Sequence, residues 1–146
     1  MSGDLEIDLS HLLPIRRRLE LLSRMRMDKL LEVLGSEQES QVRRRIHDEK
    51  TSPDGEKWDD WSEGYTARRP KRGGLLELDG GLIESIAFAL DGDTLLVGSD
   101  LVYARVHQEG WKKKNIPARP YLGVSDDNLD DLGDLVIRFI EGEAGR

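Results

Sequence analysis

Apolar residues in this chain alternate with acids at the start and then fall into helical spacing. Leu5, Ile7 and Leu9 bracket Glu6 and Asp8, the period of two expected of a short half-buried strand. Leu12, Ile15, Leu19, Leu22 and Met25 follow at intervals of three and four, so a first helix should reach about Met25, with Pro14 tolerated near its start. A second stripe, Met27, Leu31, Leu34, Val42 and Ile46, has Gln38 at its missing step and predicts another helix from about Asp28 to Glu49. Gly35 is a weak point inside it. At about 100° per residue, Arg43, Arg44 and Arg45 fan across the arc away from the core, as on a solvated face.

Ser52-Pro53-Asp54-Gly55 then marks a turn with a mechanism. Proline fixes φ, Asp bonds its own backbone and glycine permits positive φ. Trp58 comes directly afterwards and predicts a large buried anchor for that turn. Ser62 to Arg69 suits a short helix, and Pro70 to Gly74 a flexible loop, as does Trp111 to Asn115. Ile86–Leu90 and Thr94–Gly98 flank Asp91-Gly92-Asp93, which predicts a hairpin. Tyr103 to Gln108 reads as a helix closed by Gly110, and Pro117 to Val124 as extended chain or a further strand. Ser125 caps a last helix with Asp126 and Asp127 in its first turn, an apolar face through Leu129, Leu132, Val136, Phe139 and Ile140, and a stop at Gly142. The expectation is one α+β domain over residues 1–146, a small mostly antiparallel sheet around a central hairpin, covered by a long helix and a C-terminal helix.

Composition changes this picture in two ways. Aromatic residues are only 5% and charged residues 35%, a thin apolar supply that long solvated helices or burial by neighbouring subunits would explain. The formal charge of −7 argues against general nucleic-acid affinity, yet the charge is uneven. Residues 101–120 hold Arg105, Lys112, Lys113, Lys114 and Arg119 against Glu109, whereas residues 121–146 hold seven acids, Asp126, Asp127, Asp130, Asp131 and Asp134 among them. Such poles suit a contact between two different faces of neighbouring subunits. No apolar window has the length of a membrane span and no export signal is evident, so a soluble chain is expected.

The chemistry of catalysis finds little support. Without cysteine there is neither a disulfide nor a thiolate metal site. His47-Asp48-Glu49 and His107-Gln108-Glu109 lack the partners of a zinc signature, and none of the lysines after Pro53-Asp54 has an acid two positions before it, as a metal-dependent nuclease would require. No catalytic residue, metal ligand or cofactor is expected. Lys112–Lys114 beside Trp111 remains a candidate for nucleic-acid contact. Tyr103 and His107, four apart, share a helical face and suit a packed pair.

Several segments in fixed order carry a resemblance. Val42-Arg43-Arg44-Arg45-Ile46 leads to Ser52-Pro53-Asp54-Gly55 and Trp58, then to Leu76 through Ile86 with Gly80-Gly81-Leu82 at its centre. Val97-Gly98-Ser99 precedes Tyr103-Ala104 and His107-Gln108-Glu109-Gly110, and Pro117-Ala118-Arg119-Pro120-Tyr121-Leu122-Gly123 comes last. From about residue 27 to 141 this order resembles the virion morphogenesis, or tail-completion, family of Mu-like tailed bacteriophages. The resemblance implies a non-enzymatic protein of the virion neck that joins head to tail. It further implies a homo-oligomeric ring, often sixfold, that meets other neck and tail proteins, lets DNA pass without reading it, and assembles in the host cytoplasm. The contrasting reading is a small DNA-binding accessory protein using Lys112–Lys114.

Overall fold

One uninterrupted helix, α1 (Leu13–Arg44), runs through both apolar stripes in the computed structural model, which describes residues 13–144. Two helices were expected here. Arg24, Met25, Arg26 and Met27 are good helix formers, and no glycine or proline breaks the junction, so the change in stripe phase rotates the apolar face without stopping the helix. Its first half keeps Leu21, Leu22, Met25 and Met27 exposed. The strand expected over Leu5–Leu9 lies outside the described residues.

The end of α1 widens into a π-helical turn, Arg45–Glu49, which stops at Lys50 in a left-handed conformation (φ 56°) with its N–H bonded to the Arg45 carbonyl at 2.9 Å. An extra residue in that turn shifts the side chains after Arg44 around the axis. Chain reversal at Ser52–Gly55 then brings Trp58 back, and its backbone N–H bonds to the Lys50 carbonyl at 3.0 Å. Trp58 is buried, as its place after a stiff turn predicts.

Two short helices follow, α2 (Glu63–Arg68), capped by the Ser62 side chain, and α3 (Gly81–Ser85), entered through Gly80 at φ 76°. The hairpin is β1 (Ala87–Asp91) against antiparallel β2 (Thr94–Gly98), with Asp91 opposite Thr94 across the two-residue turn. These strands form the two-stranded sheet; residues 117–124 do not add a third, as one reading of the sequence expected. Pro117 and Pro120 offer no N–H, and the N–H groups of Tyr121 and Leu122 both bond to Gln108 Oε1 at 3.0 Å, leaving little for a ladder.

Helix α4 (Ala104–Glu109) closes at Gly110 as anticipated. The last helix, α5 (Asp126–Ala144), begins at Ser125, whose Oγ accepts the Asn128 N–H at 3.1 Å, and lies against α1. It continues through Gly142, which the sequence reading took as its stop. One glycine costs about 1 kcal/mol relative to Ala and cannot end a helix without a turn to follow.

The core gathers Val42 and Ile46 of α1 and its π turn with Trp58, Leu82, Ile86, Ala104 and Tyr121. The hairpin sits further back on α1, at Gly35. A β-carbon there would lie 2.4 Å from Phe88 Cδ2, so glycine is needed for the ring to touch the helix backbone. Propensity alone predicts that Gly35→Ala stabilises α1 by about 1 kcal/mol. Contact with Phe88 predicts the opposite sign, a loss of roughly 1–3 kcal/mol from overpacking. Urea unfolding of the two proteins distinguishes the outcomes.

Candidate functional site

Residues 117–123 are where the motif segments meet. Trp58 donates its indole N–H to the Pro120 carbonyl at 2.9 Å. Arg119 is buried and donates to the carbonyls of Asp59 (2.8 Å) and Asp60 (3.2 Å), so it binds backbone inside the chain and is not one of the exposed cations of the 101–120 region. Burial lowers its proton affinity and the nearby Asp59 and Asp60 charges partly restore it. Tyr121, also buried, donates its hydroxyl to the Ala104 carbonyl at 2.9 Å, and burial raises its pKa. Gly123 closes the arrangement: a β-carbon on it would come within 2.6 Å of Pro53 Cγ, so the Ser52–Gly55 turn rests directly on this segment.

A fully buried arginine binds the other side. Arg45 donates to the carbonyls of Tyr121 (2.8 Å) and Gly123 (3.1 Å) and to Asn128 Oδ1 (2.5 Å). Burial lowers its proton affinity and Glu49 opposes that shift, with Glu49 Oε2 3.9 Å from Nε. Gln41, one turn earlier and also buried, donates to the Asn128 carbonyl at 3.1 Å. Arg45 was placed on a solvated face, and that was wrong. It stands three residues after Val42, about 60° from it, and so belongs to the apolar stripe; a polar residue there calls for buried partners. Arg43 also turns inward, donating to the carbonyls of Ile83 (3.2 Å) and Ile86 (2.8 Å) at the end of α3. Only Arg44 of the three is exposed.

The remaining sequence candidates divide between structure and surface. Ser52 bonds Glu56 and Gly55 through its backbone, and Asp54 accepts the Glu56 N–H at 3.1 Å, so both hold the turn. Gly81 lets the Tyr103 hydroxyl approach, and Leu82 is core. Tyr103 and His107 form the edge-to-face pair expected, with centroids 5.7 Å apart. Burial, with the Arg119 charge adding to it, lowers the His107 pKa and keeps the ring neutral near pH 7. Gly110 turns the chain at φ 77° into the loop that leads to Pro117. Lys112–Lys114 form one 3-10 turn, closed by a Trp111–Ile116 bridge, and all three are exposed. Arg105 pairs with Glu109 at 2.9 Å. Asp126, Asp127, Asp130, Asp131 and Asp134 are exposed at the start of α5.

Between α2, α4 and the lysine turn lies a groove of about 1180 Å³. Trp61 and Tyr65 line it with rings 6.5 Å apart, and the Arg69 guanidinium lies 3.6 Å above Trp61. Arg68, Lys112 and Lys114 also face it and make no ion pair among the described residues, while Asp59, Asp60 and Asp79 supply negative charge. Among the described residues no cluster of three or more His, Cys, Asp or Glu side chains could hold a metal ion, and no helix is long and apolar enough to cross a membrane.

Residues 10–141 match the phage virion morphogenesis family. The chain belongs to that family. Its similarity to the putative capsid assembly protein G of Escherichia phage Mu is 32% identity over 98 residues, 60% of this chain and 63% of that protein. The Mu-like prophage FluMu G protein 1 of Haemophilus influenzae is 31% identical over 93 residues, 60% of this chain and 62% of that protein. An uncharacterized protein of Methanocaldococcus jannaschii is 38% identical over 74 residues, 45% and 54% of the two chains. The chain thus spans about three-fifths of the length of the two phage-type relatives. No solved structure matches it. The family match takes in the 117–123 segment together with the donors Arg45 and Trp58 and the acceptor Gln108 that hold it.

Two predictions follow from these bonds. Lysine cannot reproduce the fork by which Arg45 reaches its acceptors, so Arg45→Lys should lose roughly 2 kcal/mol or more and loosen α5. Guanidinium titration followed by far-UV circular dichroism measures this, and an unchanged midpoint contradicts it.

At the exposed end of the π turn, Glu77 Oε1 lies 2.6 Å from His47 Nδ1 and Oε2 lies 2.5 Å from Lys50 Nζ. The Glu77 hydrogen bond raises the His47 pKa, with the Glu77 charge in support. Burial alone would raise Glu77, but the Lys50 and His47 bonds outweigh it and its pKa is lowered. The histidine share of stability is full below its ordinary 6.5 and fades as pH rises through the raised value. The carboxylate share is full above 4.5 and fades as pH falls through the lowered value. Glu77→Gln should therefore lower the melting temperature most between these two values, less at pH 9, and not at all in strong acid. A pH-independent difference refutes the coupling.

Proposed function

We propose that this protein acts in phage head–tail joining, as a non-enzymatic homo-oligomeric ring at the virion neck through which DNA passes. The observation that carries the reading is apolar surface left open on the long helices. Leu21, Leu22, Met25 and Met27 on α1 and Leu129, Ile137 and Ile140 on α5 are exposed, while seven apolar residues form the buried core among the described residues. The described residues of a single chain do not cover these faces, and neighbouring copies or neck proteins would. Family membership supports a role in virion morphogenesis.

Charge gives the contact a direction. Arg105 and Lys112–Lys114 lie on one exposed segment and Asp126–Asp134 on another, so a head-to-tail ring would set the cations of one subunit against the acids of the next. Lys113 does not line the groove and is the lysine best placed for this outer contact. The DNA-binding reading draws on the same turn, where Lys114 Nζ lies 5.8 Å from the Trp111 ring centre.

Changing Lys112, Lys113 and Lys114 together to Glu should slow joining severalfold at low salt, with less effect at high salt and no loss of fold. The assay mixes purified protein with heads and tails that lack it and counts infectious particles. Normal yield at low and high salt rules this interface out. Normal joining together with lost, salt-sensitive DNA affinity favours the accessory reading.

A further inference from the structure

The groove lined by Trp61, Tyr65, Arg68, Tyr103, Lys112 and Lys114 combines an aromatic floor with cations that have no ion-pair partner among the described residues. We propose that it receives residues 4–9 of a second copy of the chain, Asp4-Leu5-Glu6-Ile7-Asp8-Leu9. This rests on the reading that copies of the chain assemble. An extended segment with this alternation puts Leu5, Ile7 and Leu9 on one face and Asp4, Glu6 and Asp8 on the other. The first face suits the rings of Trp61, Tyr65 and Tyr103, and the second suits Arg68, Lys112 and Lys114.

Reach decides which copy supplies the segment. The groove adjoins the far end of α1, where Lys50 Nζ bonds the Leu75 carbonyl at 2.8 Å and the Lys50 carbonyl accepts the Trp58 N–H at 3.0 Å. A 32-residue α1 is about 48 Å long. From Leu13 back to Leu5 the chain spans at most about 28 Å even when fully extended. A subunit therefore cannot fill its own groove with this segment. A neighbour placed head to tail can, and the contact links each subunit to the next without covering the acids of α5.

The chain contains no cysteine, so introduced ones report without background. Full-length Ile7→Cys is mixed with isotope-labelled full-length Tyr65→Cys under mild oxidation, with Lys114→Cys as a second groove position and Val102→Cys, 96% exposed and outside the groove, as reference. Mixed dimers at Tyr65 or Lys114 should exceed those at Val102 at least tenfold, and Arg68→Glu in the groove partner should remove most of the excess. Equal yields at all positions overturn the proposal, as does an intramolecular disulfide in a dilute Ile7→Cys/Tyr65→Cys double variant. Sedimentation of the unmodified protein separates the two readings. An oligomer without preferential cross-linking sinks only the arm, whereas a chain that stays monomeric even when mixed with heads and tails sinks the ring as well. Loss of the preferential cross-link when a single-stranded oligonucleotide is present before oxidation would give the groove to nucleic acid instead.

Discussion

The packing around residues 117–123 depends on a cation enclosed at the end of the long helix. Arg45 has no exposed surface, and its guanidinium bonds this extended segment at Tyr121 and Gly123 and the start of α5 at Asn128. Taking a charge out of water is unfavourable unless oriented acceptors replace the hydration shell, and here two carbonyls and an amide oxygen do so for the terminal nitrogens, while Nε makes no hydrogen bond among the described residues and has Glu49 Oε2 at 3.9 Å. The arrangement joins the start of the π turn, the 117–123 segment and the first turn of α5 at one side chain. Geometry, more than gross burial, is what this interaction supplies, because an apolar residue of the same size would fill the space without choosing a register for either neighbour.

Around that cation the small core works as a junction. Trp58 and Arg119 tie the 117–123 segment to the loop after the π turn, Gln108 ties it to α4, and Pro53 rests on Gly123. The apolar residues Val42, Ile46, Leu82 and Ile86 sit beneath the same crossing. Outside it, α1 and α5 extend with apolar side chains exposed among the described residues, which fits a chain whose apolar supply is thin for its length.

Features governed by local chemistry were legible in the sequence. The Ser52–Gly55 turn, the buried Trp58, the 86–98 hairpin, the Gly110 closure and the Ser125 cap each follow from residues within a few positions of one another. What stayed hidden depends on contacts distant in sequence. Arg45 reads as surface until the carbonyls of Tyr121 and Gly123 are known to lie beside it, although its spacing from Val42 was a usable signal. Gly35 reads as a flaw until Phe88 is seen against it. Gln108 lies inside one of the segments that carry the family resemblance, but the acceptor Asn128 has no signature, because a side-chain amide looks alike on a surface and in a core. The groove was missed for the same reason: Trp61, Tyr65 and Lys112 come from separate segments.

The segment from 117 to 123 is gripped mainly through backbone atoms. The acceptors at Pro120, Tyr121 and Gly123, and those at Asp59 and Asp60 that hold Arg119, are all main-chain carbonyls. Any residue type supplies that oxygen, whereas the donors Arg45, Trp58 and Arg119 have no chemical substitute. Substitution should therefore be unequal on the two sides of the same bond. The exposed side chains of Asp59 and Asp60 are free to change with whatever they face, while the donors stay fixed, so a lineage can alter its outer surface for a new partner without rebuilding the joint beneath it.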